Sequence, residues 1–182
     1  MMGISNAQKS AYNILTSVLG QVITIVLGVV IPRLVLVNLG SENNGLLSSI
    51  TQVLGYASLL EAGVGLASLQ ALYKPVAEHD EASVNAIMSA TNLYYKRTGI
   101  AYLLTVIILS AIYPVIIKSS LPYGTITIVV LISGLPGVVN YYFQGKYKIL
   151  LQAEGRTYII TNLATVIGIL TSVGKILLLL LG

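Results

Sequence analysis

Cysteine is absent from this chain of 182 residues, histidine occurs once, and acidic side chains number six. Without cysteine there is no disulfide framework and no thiolate metal site. The single histidine, His79, stands beside Asp80 and Glu81 with no nucleophile in a position to complete a catalytic set. GxxxxGK[ST] loops and HExxH helices are missing as well. The chain is therefore not expected to be an enzyme, to hold a metal or to carry a cofactor. Charge is scarce: 9% of residues are charged, against roughly a quarter in soluble domains. The ten lysines and arginines form no basic stripe, which excludes nucleic acid as a partner.

Apolar sequence fills the space that charge leaves. Hydrophobic residues make up 55% of the chain, and the mean hydropathy is +0.87. Several apolar runs of about 20 residues would leave a soluble globule no polar coat, so lipid must be the solvent. The runs are continuous, as from Ile100 to Ile117, rather than alternating apolar with polar. They read as helices and not as strands of a barrel. The fold class expected is all-α, a polytopic transmembrane helix bundle of about five spans in one domain. The spans are expected at 12–39, 46–73, 98–117, 123–144 and 158–181, with loops at 74–97 and 145–157. A polar hinge, Gly40 to Gly45, separates the first two spans. The first run lacks a small-residue cleavage site at its end and is expected to be retained. Asp80 is placed to cap the helix that follows, and Val84, Ile87, Met88 and Thr91 give it an apolar stripe along the interface.

Lysine and arginine are kept on the cytoplasmic side far more often than they are translocated. Lys9, Lys74, Lys96, Arg97, Lys146, Lys148 and Arg156 fall on one side of the expected spans, and Lys118 alone falls in a loop on the other. The N-terminus and both longer loops are therefore expected in the cytoplasm, and the chain in the cytoplasmic membrane. Tyrosines, among them Tyr12, Tyr73, Tyr94, Tyr95, Tyr113, Tyr123, Tyr147 and Tyr158, gather near span ends as interfacial anchors do.

Three charges fall inside spans: Arg33, Glu61 and Lys175. Each costs about 2.5 kcal/mol or more at the bilayer centre unless paired or wetted. At a rise of ~1.5 Å per residue, Arg33 and Lys175 each lie about 9 Å from the outer ends of their spans, and Glu61 about 22 Å below the start of the second. The functional reading makes them the lining of a substrate path, the cations for an anionic head group and Glu61 for a proton or cation. The bland reading lets both cations snorkel and lets Glu61 bond a neighbouring helix. Small and polar stripes at Asn13, Ser17, Gln21, Thr24 and Gly28, and at Ser48, Thr51, Gly55, Ser58 and Ala62, are explained by helix packing. Gly134, Pro136 and Gly137 mark an expected kink that would serve a moving transporter as a hinge.

From Val37 to Pro75 the sequence reads VNLGSENNGLLSSITQVLGYASLLEAGVGLASLQALYKP. The Leu39-Gly40 turn with Glu42 and Asn44-Gly45-Leu46, the segment Leu60-Glu61-Ala62-Gly63 with Gly65, and Leu72-Tyr73-Lys74-Pro75 followed by Asp80 together resemble the N-terminal signature of bacterial polysaccharide flippases. These form the Wzx-like branch of the MOP superfamily. Leu151-Gln152-Ala153-Glu154-Gly155-Arg156 looks like the family's second cytoplasmic loop. The resemblance implies a transporter that flips an undecaprenyl-pyrophosphate-linked oligosaccharide across the cytoplasmic membrane for polysaccharide biosynthesis, working beside the polysaccharide polymerase machinery. It implies Arg33 and Lys175 as lining of a cationic cavity. Members have twelve to fourteen spans in two lobes, so five spans read as most of an N-terminal lobe. A multidrug exporter of the same fold and a non-transporting membrane scaffold are the alternatives.

Overall fold

Leucine, isoleucine, valine and alanine in unbroken runs satisfy every backbone polar group within a helix, which is what a chain without water must do. The computed structural model describes residues 6–61, 63–117 and 119–181, without the side chains of 6–9 and 60. Ala62 and Lys118, and the side chains of Lys9 and Leu60, lie outside the described residues. Among those described there is no strand. The helices are α1 (Asn6–Ala57), a 3-10 turn (Ser58–Glu61), α2 (Val64–Ala77), α3 (Glu81–Ile116) and α4 (Tyr123–Val139). A π turn (Asn140–Gln144), α5 (Gly145–Ala153) and α6 (Thr157–Leu181) follow. Four stretches are long and apolar enough to cross a membrane: Ser10–Ala57, Glu81–Ile116, Tyr123–Ala153 and Thr157–Leu181. This is an all-α, multi-pass membrane protein.

Helix breaks fall in different places from those expected. The hinge from Gly40 to Gly45 contracts to one residue: Gly40, at φ 85° and ψ 171°, leaves the helix, and 41–45 are helical. Only glycine adopts that conformation without strain. The 48 residues of Ser10–Ala57 would extend about 72 Å if straight, more than twice the ~30 Å of a hydrocarbon core. The segment 46–73, expected as one span, is divided at Ser58–Glu61, where the Ser58 hydroxyl donates to the Gly55 carbonyl at 2.6 Å. Such back-bonding beside glycine bends helices. The surface loop expected at 145–157 is instead helical to Ala153.

Helix ends follow known chemistry. Asp80 caps α3, its carboxylate accepting from the Ser83 amide at 3.1 Å. Bonds from Ser83 hold the Asp80 carboxyl below its ordinary value. Two helices end in the same paired-carbonyl motif. The amides of His79 and Asp80 donate to the carbonyls of Val76 and Pro75, and those of Gly155 and Arg156 to Gln152 and Leu151. Gly155 (φ 71°) suits this left-handed position, whereas His79 (φ 56°) adopts it with a side chain.

The chain forms two compact units, one of the described residues up to Gly45 with those from Leu151 onward, the other Leu46–Leu150. In the first, Asn13 donates to the Gly155 carbonyl at 3.0 Å and accepts from the Tyr158 amide at 2.6 Å, and the rings of Tyr12 and Tyr158 lie 6.0 Å apart. One turn or two higher, Gly20 faces Thr161 and Thr165. Contacts climb both helices together, so this limb of α1 and α6 run parallel.

In the second unit α3 and α4 pack antiparallel. A Cβ on Gly134 would lie 2.5 Å from Val106, on Gly137 2.5 Å from Tyr102, and on Gly145 2.3 Å from Tyr95. The eleven steps from Gly134 to Gly145 are thus met by eleven back along α3, from Val106 to Tyr95. The π turn shifts the hydrogen bonding, the Gly145 amide donating to the Asn140 carbonyl, but keeps this pairing. Ile50, Leu72, Val106, Ile126 and Val130 are fully buried in this unit.

Candidate functional site

The break at Ser58–Glu61 frees backbone groups, and hydrocarbon offers them no partner. The side chains around it are polar. The Tyr141 hydroxyl donates to the Ser58 carbonyl at 3.4 Å, and the Tyr95 hydroxyl donates to Glu61 Oε1. Tyr95 comes from α3 and Tyr141 from the π turn, whose ring packs edge-on against Tyr102 at 5.1 Å. The space for this group is made by glycines. A Cβ on Gly65 would lie 3.0 Å from the Tyr95 hydroxyl and 3.2 Å from Glu61 Oε1, and Gly145 lies under the Tyr95 ring. Tyr95 and Tyr141 are buried and Glu61 is half-buried. The arrangement is a carboxylate held by one phenol at a helix discontinuity, with a second phenol closing the backbone beside it. Such discontinuities in membrane proteins are tolerated where they are buried in protein or line a cavity.

Tyr95 immediately precedes Lys96 and Arg97. Its contact brings Glu61 level with that basic pair. Arg33 and Lys175 belong to the other unit. Both are exposed, and neither has an acidic partner among the described residues. Arg33 lies 20 residues along its helix from Asn13 and Lys175 17 from Tyr158, about 30 Å and 26 Å above the same hydrogen-bonded anchor. The two cations therefore stand at similar heights on parallel helices. Gly134 and Gly137, expected as hinge residues, are packed tightly against Val106 and Tyr102 of α3, and Pro136 sits inside a continuous α4. The irregular backbone lies just beyond them, in the π turn.

Sequence reasoning took Tyr95 as an interfacial anchor and did not name Tyr141. Neither carries a local signal for its role, since Tyr95 and Glu61 are separated by 34 positions. Asn13, read as part of a packing stripe, is the residue that ties α1 to the start of α6. Comparison with known protein families, with curated proteins and with solved structures finds no match.

Proposed function

We propose that this protein is a transporter that flips lipid-linked oligosaccharide repeat units across the cytoplasmic membrane for polysaccharide biosynthesis. The observation that carries the reading is the pair Arg33 and Lys175. Two cations within apolar helices, about 9 Å from the outer ends of their expected spans, at similar heights and without an acid beside them among the described residues, suit a polyanionic group such as a pyrophosphate. The flippase-like sequence from Val37 to Pro75 supports the same reading, and the discontinuity at Glu61 is the backbone feature that helix-rearranging transporters use. A drug exporter of this fold would call for acids at its centre. Within the expected spans Glu61 is the sole acid against two cations.

The test is surface polymer formation in cells that depend on this protein. Arg33→Ala or Lys175→Ala reduces polymer while protein abundance is unchanged, and Arg33→Lys or Lys175→Arg restores part of it. Normal polymer with both alanines present overturns the reading.

A further inference from the structure

Where α3 meets the π turn, the backbones come close enough that a Cβ on Gly99 would lie 3.2 Å from the Tyr142 amide nitrogen and Cβ. Side chains at this seam are forced outward. Lys96, one turn before Gly99 on the same face of α3, extends over the Tyr142 ring at 6.0 Å. Tyr142 packs edge-on against Phe143 at 4.9 Å, and one turn further Lys146 lies over Tyr147 at 4.8 Å. Lys146 and Tyr147 open α5 about one turn beyond Tyr142 and Phe143 of the π turn. The result is one continuous strip of two ammonium groups and three rings.

The strip is open. Tyr142 is 37%, Phe143 62% and Tyr147 57% exposed. No acid occurs in α3 after Glu81 or anywhere from Tyr123 to Ala153, so neither lysine has a carboxylate on its own helix. The unit's nearest membrane acid, Glu61, is bound to Tyr95. Lys148, by contrast, is turned back and donates to Asn140. Along α3 from Lys96, exposed Ile100, Leu103 and Leu104 follow at helical spacing and continue the apolar surface. A soluble anion would use the two lysines and leave the rings idle. A phospholipid uses both, its phosphate between the ammonium groups and its glycerol and upper acyl chains on the rings.

We propose that the α3–π-turn seam is a binding site for an anionic phospholipid headgroup, held by Lys96 and Lys146 with Tyr142, Phe143 and Tyr147 as its apolar floor. The site selects charge in one leaflet, at the end of the helices that carries Lys96. It is independent of the substrate of the proposed transport reaction.

The experiment reconstitutes the full chain in phosphatidylcholine vesicles with spin-labelled phosphatidylglycerol or phosphatidylcholine as tracer, and reads the motionally restricted fraction of each. The wild type prefers phosphatidylglycerol. Lys96→Gln with Lys146→Gln lowers that preference by up to about thirtyfold, about fivefold for each lysine near a charged surface. Lys74→Gln with Arg97→Gln removes equal charge from the same unit, but off the strip, and leaves most of the preference. Sodium pyrophosphate at matched ionic strength does not displace the tracer. Equal restriction of both tracers by the wild type overturns the proposal without any variant. So does an equal loss in the control pair, which means general surface charge, or displacement by pyrophosphate, which means a soluble anion.

Discussion

The two units are built from helices of similar apolarity and pack in opposite ways. In Leu46–Leu150, glycines on α4 and α5 receive Val106, Tyr102 and Tyr95 from α3, so shape complementarity is tight and repeats along the contact. In the other unit, a Cβ on Gly28, Gly168 or Gly174 would meet nothing within 4 Å, and the helices are joined at Asn13 and around Gly20. Lipid tails are as apolar as leucine, so hydrophobicity cannot distinguish these outcomes. Close approach and hydrogen bonds do.

The comparison breaks first, and with the largest effect, at Gly145. A methyl group there meets a ring rather than a flexible chain end, so Gly145→Ala destabilises the fold by about 2 kcal/mol or more in unfolding by detergent titration. Gly28→Ala, placed in open space, is neutral or stabilises by up to about 1 kcal/mol. Equal effects would show that glycine packing is not what sets the units apart. Tyr95→Phe comes next: it keeps the ring and leaves Glu61 without its donor, for a loss of about 1–2 kcal/mol. Adding Glu61→Leu to that variant should recover part of the loss.

In the sparser unit, Asn13→Ala removes two hydrogen bonds and costs about 1 kcal/mol. The expected signature is increased proteolysis or hydrogen exchange near Gly155, with α3 and α4 unchanged. The smallest effect is at Asp80. Its carboxyl is held below its ordinary value by Ser83, so the cap contributes fully above the unfolded-state pKa and is lost as pH falls through the lower folded-state value. Asp80→Asn keeps a capping oxygen and flattens this acid dependence. A mutant profile as steep as the wild type would remove Asp80 as its source.

Much of this was legible in the chain itself. Unbroken runs such as Ile100–Ile117 dictate helices, and Asp80 before Glu81 marks a start because a carboxylate three residues ahead of a free amide accepts it. Less legible were the breaks. Gly40 and the residues after it form a polar stretch that reads as a turn, but 41–45 keep their helical bonds and one glycine takes the whole distortion. Ser58 and Gly55 read as packing residues because no local pattern says where a 3-10 turn will be stable. That depends on Tyr141, 83 positions away, reaching the Ser58 carbonyl.

By itself the sequence determined that this is a helical, multi-pass membrane protein, because composition decides the solvent and an apolar solvent permits only structures that satisfy their own backbone. It also singled out Arg33, Glu61 and Lys175 as costly charges. Which partners such charges find is a question of distance, and distance between remote positions is set only by packing. Tertiary structure decided that Glu61 meets Tyr95, that Arg33 and Lys175 stand at similar heights on parallel helices, and that Gly134, Gly137 and Gly145 are the sockets into which α3 fits.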